Sequence, residues 1–246
     1  MWLQREANGY EKNNSEGQWH PSVCTRAHLI CMTAIRNPKT KTVLRITGVD
    51  IVLRLHPADR ALLRDLAKVQ IISGELAARH HYAHLKGGAE RSLERLARAG
   101  ILASKTLYVT HLPPQRVYQF ASQDIARAYG GRLPVTGAKR NDLHELLTSQ
   151  IFFACGRPDD FRLADRLTHE EVVAMGELRP DAVFTDPATG EMVLVESDSG
   201  HYTKSQVGKK MATWRAHGFE RQVWAQPNTR TSAVIPTSAT VTLHRF

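Results

Sequence analysis

Residues 179–198, RPDAVFTDPATGEMVLVESD, contain the pattern that decides the fold of the second half of the chain. RPDAVFTD and EMVLVESD each have the apolar run of a strand, and PATG between them is a turn sequence. We therefore predict a β-hairpin, with Asp181 near the entry of the first strand and Glu196 on the second. Asp198 lies two residues beyond Glu196 and, on an extended strand, points to the same face.

The sequence around this hairpin predicts a mixed α/β domain over residues 140–246. The preceding segment NDLHELLTSQIFFACG has apolar residues at helical spacing, and Gly156 ends that helix. The charged segment FRLADRLTHEEVVAMG is interpreted as a helical insertion or an irregular excursion. After the hairpin, SQVGKKMATWRAHG predicts a helix, and RQVWAQ predicts a third strand beside the other two.

The carboxylates of the hairpin indicate a metal site. Asp181 and Glu196 can converge on one point, and paired hard carboxylates suit Mg²⁺ or Mn²⁺, which can polarise a scissile phosphate. The simpler interpretation is that both acids end strands at a polar rim, but a Glu after four apolar positions needs a positive partner. The predicted metal ligands are Glu145, Asp181, Glu196 and Asp198. The predicted catalytic residues are Asp181, Glu196, Lys204 and Lys209, with Lys210 a further candidate to stabilise the phosphate.

Residues 50–131 have the element order of a winged helix-turn-helix. Pro57 stands at a first helical position, two shorter helical segments follow, and Gly100 closes the second of these. Two strands, ILASKTLYV and QRVYQFA, and a last capped helix complete the order. In this fold the third helix enters the DNA major groove and the hairpin contacts the backbone beside it. The predicted DNA contacts are Lys86, Arg91, Arg95, Arg98, Lys105 and Arg116. The alternatives are a solvated basic face and a winged helix that mediates protein contacts.

Charge is unevenly distributed along the chain. The net charge is +9; residues 50–140 carry 15 Lys and Arg against 7 Asp and Glu, whereas residues 141–246 carry 11 against 14. A basic segment before a slightly acidic one indicates that one part holds phosphates and the other uses carboxylates. Residues 131–141, GRLPVTGAKRN, predict a linker between the two parts. Residues 1–49 are interpreted as a polar tail or arm, open to a role in DNA or partner binding.

The composition also limits the compartment. No apolar run approaches the roughly 20 residues of a membrane span, and the first residues lack the apolar core of a signal peptide. We therefore expect a cytoplasmic protein with no membrane partner. The three cysteines form no CxxC pair, which makes a zinc ribbon an unsuitable interpretation.

Two resemblances rest on these motifs. Arg179-Pro180-Asp181, fourteen intervening residues and Glu196-Ser197-Asp198 resemble the PD-(D/E)xK nuclease superfamily, the restriction-endonuclease fold. The resemblance implies that Asp181 and Glu196 bind a metal and activate water. Asp198 stands where that family has a lysine. Lys204 or Lys209 of the next helix would have to substitute, unless the site works differently or is inactive.

Over residues 55–228 the arrangement is similar to plasmid replication-relaxation proteins, in particular to MobC-type relaxases of the MOBC class. The similarity lies in a winged helix, a helix starting HEL, RPDAVF and VESDSGHYTKSQVGKKMATW. It implies an enzyme that nicks one strand of double-stranded DNA at a plasmid transfer origin for conjugative mobilisation. A coupling protein or other relaxosome components would be its partners. The sequence lacks the His-x-His triad of the commoner relaxases, and Tyr202 is open to a role as nucleophile or in packing.

Our expectation is therefore a metal-dependent, site-specific nicking endonuclease. The first alternative is a plasmid replication or transcription regulator whose nuclease-like domain is degenerate, which Asp198 in the lysine position favours. A further alternative is an endonuclease that makes double-strand cuts.

Overall fold

The computed structural model describes residues 55–85, 88–109, 113–134, 142–228 and 235–246, together with the backbone of three strands before them. These strands, β1 (Ile35–Arg36), β2 (Thr42–Ile46) and β3 (Val49–Leu53), form a small antiparallel sheet. The rest of the predicted tail or arm, Lys86, and residues 135–141 of the predicted linker lie outside the described residues.

The first part of the chain combines four helices with a second three-stranded sheet. The sheet has the order β4-β6-β5, and both of its strand pairs are antiparallel. Its elements are α1 (Pro57–Val69), β4 (Ile72–Ser73), α2 (Gly74–His81), α3 (Gly88–Arg98), β5 (Leu102–Leu107), β6 (Gln115–Phe120) and α4 (Gln123–Ala128).

Local sequence explains where these helices begin. The His56 side chain caps α1 by accepting a hydrogen bond from the backbone of its first turn. The Asp59 carboxylate accepts a hydrogen bond from the His56 amide, which completes a reciprocal capping box. Ser73 and Ser122 cap α2 and α4 through their hydroxyl groups. The apolar residues of α2, α3 and α4 pack against the small sheet, and α1 packs against α2 and α5.

The second part of the chain is a five-stranded mixed sheet with helices. Its strand order is β11-β10-β9-β8-β7; β9, β10 and β11 are parallel, whereas β7 and β8 are antiparallel to their neighbours. A 3₁₀ turn (Ala164–Arg166) follows β7. The elements are α5 (Asp142–Ala154), β7 (Arg162–Leu163), α6 (His169–Ala174), β8 (Ala182–Thr185), β9 (Met192–Ser197), α7 (Lys204–Ala216), β10 (Gln222–Gln226) and β11 (Val241–Arg245).

The predicted hairpin and the elements around it are confirmed. β8 and β9 pair antiparallel with Ala182 opposite Val195, and the third predicted strand is β10, which pairs parallel with β9. The segment interpreted as an insertion or excursion is β7, the 3₁₀ turn and α6. The fold class is thus a mixture of helices and sheets.

Helix α5 packs against both parts of the molecule. Ser149 of α5 donates a buried hydrogen bond of 2.6 Å to the carbonyl of Ile71, beside β4. The neighbouring residue, Thr148, bonds the hydroxyl of Ser197 at the end of β9 over 2.8 Å. One continuous apolar cluster accordingly includes Leu62 of α1, Phe152 of α5 and Val195 of β9.

A second apolar cluster lies on the other face of the large sheet. It is formed by α7 and the strands below it and includes Leu194, Trp214 and Trp224. In consequence the large sheet is covered by α5 on one face and by α7 on the other. Among the described residues, no helix has the length and apolar character needed to cross a membrane.

Candidate active site

The candidate site lies at the open end of the β8–β9 hairpin, where the parallel strands also reach their carboxyl ends. The ladder that pairs Ala182 with Val195 places Asp181 opposite Glu196. The backbone amide of Asp181 donates to the carbonyl of Val195 over 2.9 Å, one residue short of Glu196, so the regular ladder ends at Ala182 and Asp181 is held at its irregular end. Asp181 and Glu196 lie close enough for the charge of Asp181 to raise the pKa of Glu196, and their convergence on a metal ion stays a prediction.

Glu196 is fully buried, with 0% of its surface exposed. Its Oε1 atom accepts hydrogen bonds from the Tyr202 hydroxyl at 2.5 Å and from the Lys210 ammonium. Its Oε2 atom is buried and has no hydrogen-bond partner among the described residues. Burial raises the pKa of Glu196, and the charge of Asp181 raises it further, against the opposing effect of Lys210.

Lys210 is held between aromatic rings. Its ammonium lies 5.1 Å from the ring centroid of Tyr202 and 5.3 Å from that of Trp214. It also donates to the Tyr202 hydroxyl over 3.1 Å. Trp214 is itself fixed, because its indole donates to the carbonyl of Leu178. The cation–π contacts and these bonds direct the ammonium to Glu196.

Asp181 connects the site to α5. Its Oδ1 atom lies 2.9 Å from Nε2 of His144, and its Oδ2 atom accepts a hydrogen bond from the Ser197 amide over 2.7 Å. Burial alone would lower the pKa of His144, but the hydrogen bond to Asp181 and the charges of Asp181, Glu196 and Glu145 outweigh it and raise that pKa to about 9. A protonated His144 therefore neutralises charge at the mouth of the site.

A polar cavity of about 130 Å³ gives access to Asp181. His144, Glu145 and Asp165 line it, together with Gln70 at the end of α1. Gln70 has a backbone φ of 68°, which is uncommon for a residue with a side chain, and its amide bonds Asp165 over 3.2 Å. The cavity is thus bounded by both parts of the chain.

Asp198 is placed differently from its predicted role as a metal ligand beside Glu196. It is buried and follows the last residue of β9. Its Oδ1 atom accepts from the amides of Gly200 and Tyr202, and its Oδ2 atom accepts from the Gln226 side chain. Its Oδ1 atom therefore holds the turn that carries Tyr202 to the site, and its Oδ2 atom connects this turn to β10.

The lysine beside Glu196 is Lys210 rather than Lys204 or Lys209, the two predicted catalytic lysines. Lys204 and Lys209 are exposed on α7. Lys210 lies three residues after Val207 and four before Trp214, and both of these are buried. Helical periodicity therefore turns Lys210 towards the sheet and Lys209 towards solvent.

Glu145, the predicted third metal ligand, is partly buried in the first turn of α5 and lines the same cavity as Asp181. In the described ranges, no cluster of three or more His, Cys, Asp and Glu side chains is arranged as a metal site. The acidic side chains that line the cavity are Glu145, Asp165 and Asp181, and Glu196 lies buried beside Asp181.

The predicted DNA contacts divide into exposed and paired residues. Arg91, Arg98 and Arg116 are exposed, and Arg98 and Arg116 both lie within salt-bridge distance of Glu94. Arg91 and Arg98 lie on α3 and Arg116 lies on β6, and Glu94 of α3 is paired with Arg98 and Arg116.

Two other predicted contacts have partners inside the molecule. Arg95 donates to the buried Asp59 over 2.5 Å and thereby connects α3 to α1. Lys105 has only 9% of its side chain exposed and pairs with Asp142 at the start of α5, so it is not presented on the surface of the hairpin.

Sequence reasoning assigned no role to His144, although it stands next to Glu145 in the same predicted helix. Comparisons of the chain with models of protein families, with curated proteins and with solved structures find no match. The function is therefore inferred from the site and its surroundings.

Proposed function

We propose that this protein is a metal-dependent DNA endonuclease that nicks one strand, as a relaxase does at a plasmid transfer origin. The observation that carries the proposal is the buried Glu196, which lies beside Asp181 and whose Oε2 atom has no hydrogen-bond partner in the described part of the chain. Leaving a buried acceptor unsatisfied costs about 1–3 kcal/mol, so a ligand that uses this oxygen is the simplest reason for its persistence.

The donor set suits Mg²⁺ or Mn²⁺. Magnesium takes one or two carboxylates and completes its coordination with water and substrate phosphate. Asp181 and Glu196 would hold the ion, since the free Oε2 atom supplies a hard ligand that is already desolvated. When bound, the ion would polarise the scissile phosphate and neutralise charge at the leaving oxygen.

The remaining side chains perform defined tasks in this proposal. Lys210 would stabilise negative charge on the phosphate, because its ammonium is directed to the same carboxylate. His144 would hold a proton at Nε2 and orient Asp181. The lysine of the PD-(D/E)xK pattern is then supplied by α7, and Asp198 is free to hold the Tyr202 turn.

The first part of the chain would bind the DNA. The order α1, β4, α2, α3, β5, β6, α4 with the sheet β4-β6-β5 supports a winged helix-turn-helix. Exposed Arg91 and Arg98 on α3 and Arg116 on β6 would contact phosphates or bases. The second part would be a restriction-endonuclease-like domain.

A regulator with a degenerate nuclease-like domain is the second candidate. It is favoured by the partners of the carboxylates, because Asp181 is engaged by His144 and Glu196 by Lys210. Such a protein would bind DNA equally well with and without a chelator and would not cut it.

The deciding experiment incubates supercoiled plasmid, with and without its transfer origin, with the protein and Mg²⁺ or Mn²⁺. Open circles formed only with the origin and a metal, and abolished by Asp181→Ala and by Glu196→Gln, would support the proposal. Glu191→Gln is the matched control, because Glu191 is an exposed acid on the same hairpin at its other end. Intact supercoils, with the origin bound in a gel shift, would favour the regulator. Linear product would indicate double-strand cleavage.

A further inference from the structure

A basic cleft of about 440 Å³ lies at the junction of the two parts, outside the site described above. Four cationic side chains line it, against two acidic ones. The cations are Arg64, Lys68, Arg157 and Arg166, and the acids are Asp65 and Asp159.

The cleft is assembled from segments distant in the sequence. Arg64 and Lys68 lie one turn apart on α1, Arg157 follows α5, and Arg166 ends the 3₁₀ turn. Arg166 donates to the carbonyl of Ala67 over 2.6 Å, which fixes the 3₁₀ turn against α1.

The wall on the other side is formed by the end of α4. Gly131 approaches α1 so closely that a Cβ atom there would lie 2.8 Å from the Cα atom of Ala67. Only glycine permits this approach, and it brings Tyr129 and Gly130 to the edge of the cleft. The shape of the cleft is therefore determined by packing as well as by its charged side chains.

The acidic residues do not cancel this charge. Asp65 lies 3.4 Å from both Arg157 and the buried His81, so it positions the arginine within the fold. Asp159 is fully exposed at the rim and lies 3.4 Å from Lys68. Arg64 is exposed and interacts electrostatically with Asp65, and within the described residues it forms no hydrogen bond or salt bridge. An excess of positive charge is left facing the cleft.

The cleft adjoins the cavity that leads to Asp181. Successive residues of the 3₁₀ turn line the two spaces, Asp165 the cavity and Arg166 the cleft. Near the end of α1, Lys68 lines the cleft and Gln70 the cavity. A polyanion seated among the cations would thus lie beside the carboxylates.

We infer that this cleft binds the phosphodiester backbone of the DNA strand that enters the carboxylate site. The inference rests on the proposed function and assigns the substrate path: α3 holds the duplex, and the basic cleft holds the strand next to the bond that is cut. Guanidinium groups suit this task because they bind phosphate oxygens through paired N–H donors.

The test measures duplex binding by fluorescence anisotropy over a series of salt concentrations. The slope of log K against log salt is negative, and each lost phosphate contact reduces its magnitude by about 0.9. We expect the double variant Arg64→Ala with Arg157→Ala to reduce the magnitude of this slope by about 1–2. It should also weaken binding by about tenfold at 0.1 M salt. Arg215→Ala, an exposed arginine on α7, is the matched control and should change neither quantity.

The outcomes separate this inference from the proposed function. A smaller salt slope in the cleft variant, with an unchanged thermal unfolding midpoint, supports phosphate binding by the cleft. If Arg91→Ala with Arg98→Ala weakens binding while the cleft variant binds like wild type, DNA binding stands and the inference is overturned. Weaker binding with an unchanged slope also overturns it, because the arginines would then act through the fold. If the wild type does not bind DNA, both fail.

Discussion

Two buried carboxylates in this molecule have similar neighbours but differ in how many of their oxygens accept a hydrogen bond. Asp59 in the first part accepts from the Tyr82 hydroxyl over 2.9 Å on one oxygen, and from Arg95 and the His56 amide on the other. Glu196 in the second part also has a tyrosine hydroxyl and a cation, but both reach the same oxygen.

The difference separates a structural group from one to which the proposed function assigns a ligand. Every oxygen of Asp59 has a donor, so this carboxylate ties α1, α2 and α3 together and has no capacity for a ligand. Glu196 is also buried at a free-energy cost, but its Oε2 atom has no hydrogen-bond partner among the described residues.

The first prediction concerns Lys210, the cation beside Glu196. Lys210→Met should lower the nicking rate by about 10²- to 10³-fold, because the charge on the phosphate loses its nearest ammonium. Lys209→Met, at an exposed neighbouring position, should leave the rate unchanged. Rates would be measured on supercoiled plasmid at saturating metal. Equal rates for both variants would remove Lys210 from the chemistry.

The second prediction exchanges each carboxylate for its amide. Asp59→Asn should lower the free energy of unfolding by about 2–3 kcal/mol, since one donor of the network must then face an NH₂ group. Glu196→Gln should cost less than about 1 kcal/mol, because its NH₂ group can take the position of the unpartnered Oε2 atom. Urea titrations give both values. Similar losses for the two variants would contradict the distinction.

The third prediction is the pH dependence of stability. His144 has a pKa raised to about 9, above its ordinary value near 6.5, so its stabilising effect is complete below that value and is lost as pH rises to about 9. The raised pKa of Glu196 acts in the same direction, because the folded state favours its protonated form. Unfolding midpoints should therefore fall between pH 6.5 and 9.

The His144→Gln variant should show a weaker fall over this range, whereas Asp59→Asn should keep the wild-type slope from a lower starting point. A slope that is unchanged in His144→Gln would mean that the Asp181 contact does not raise the affinity of His144 for its proton.

The smallest expected effect separates two arginines of α3. Arg91→Ala should reduce the magnitude of the salt slope of DNA binding by about 0.9. It should leave the free energy of unfolding unchanged, because Arg91 is exposed. Arg95→Ala should instead destabilise the fold, since it removes a donor from Asp59. Anisotropy and urea titration together distinguish the two; a reversed result would exchange their roles.

Periodicity and turn chemistry were sufficient to predict much of this fold. The hairpin was predictable because its apolar runs flank a turn sequence, and α1 because its leucines recur at helical spacing. The convergence of Asp181 and Glu196 follows from the same register. The orientation of Lys210 was also accessible, since its spacing from Val207 and Trp214 places it on the inner face of α7.

Other features depend on contacts that no local pattern contains. The pairing of Lys105 with Asp142 joins two segments that are far apart in the sequence, so a lysine expected on the hairpin surface is instead nearly buried. Asp198 has the residue type of a metal ligand, and only the turn after β9 shows that backbone amides use its oxygen. His144 acquires its role from a residue 37 positions later.

The adjacent residues Thr148 and Ser149 have one further consequence. One hydroxyl is bonded to Ser197 at the end of β9 and the other to the chain beside β4, so a single helical turn of α5 joins the strand that carries Glu196 to the part that the proposed function assigns to DNA binding. The proposed DNA-binding part and the carboxylates would then be held at a fixed distance from each other. The nick should fall at a single phosphodiester at a constant offset from the recognised sequence, and primer extension on the nicked strand should end at one nucleotide.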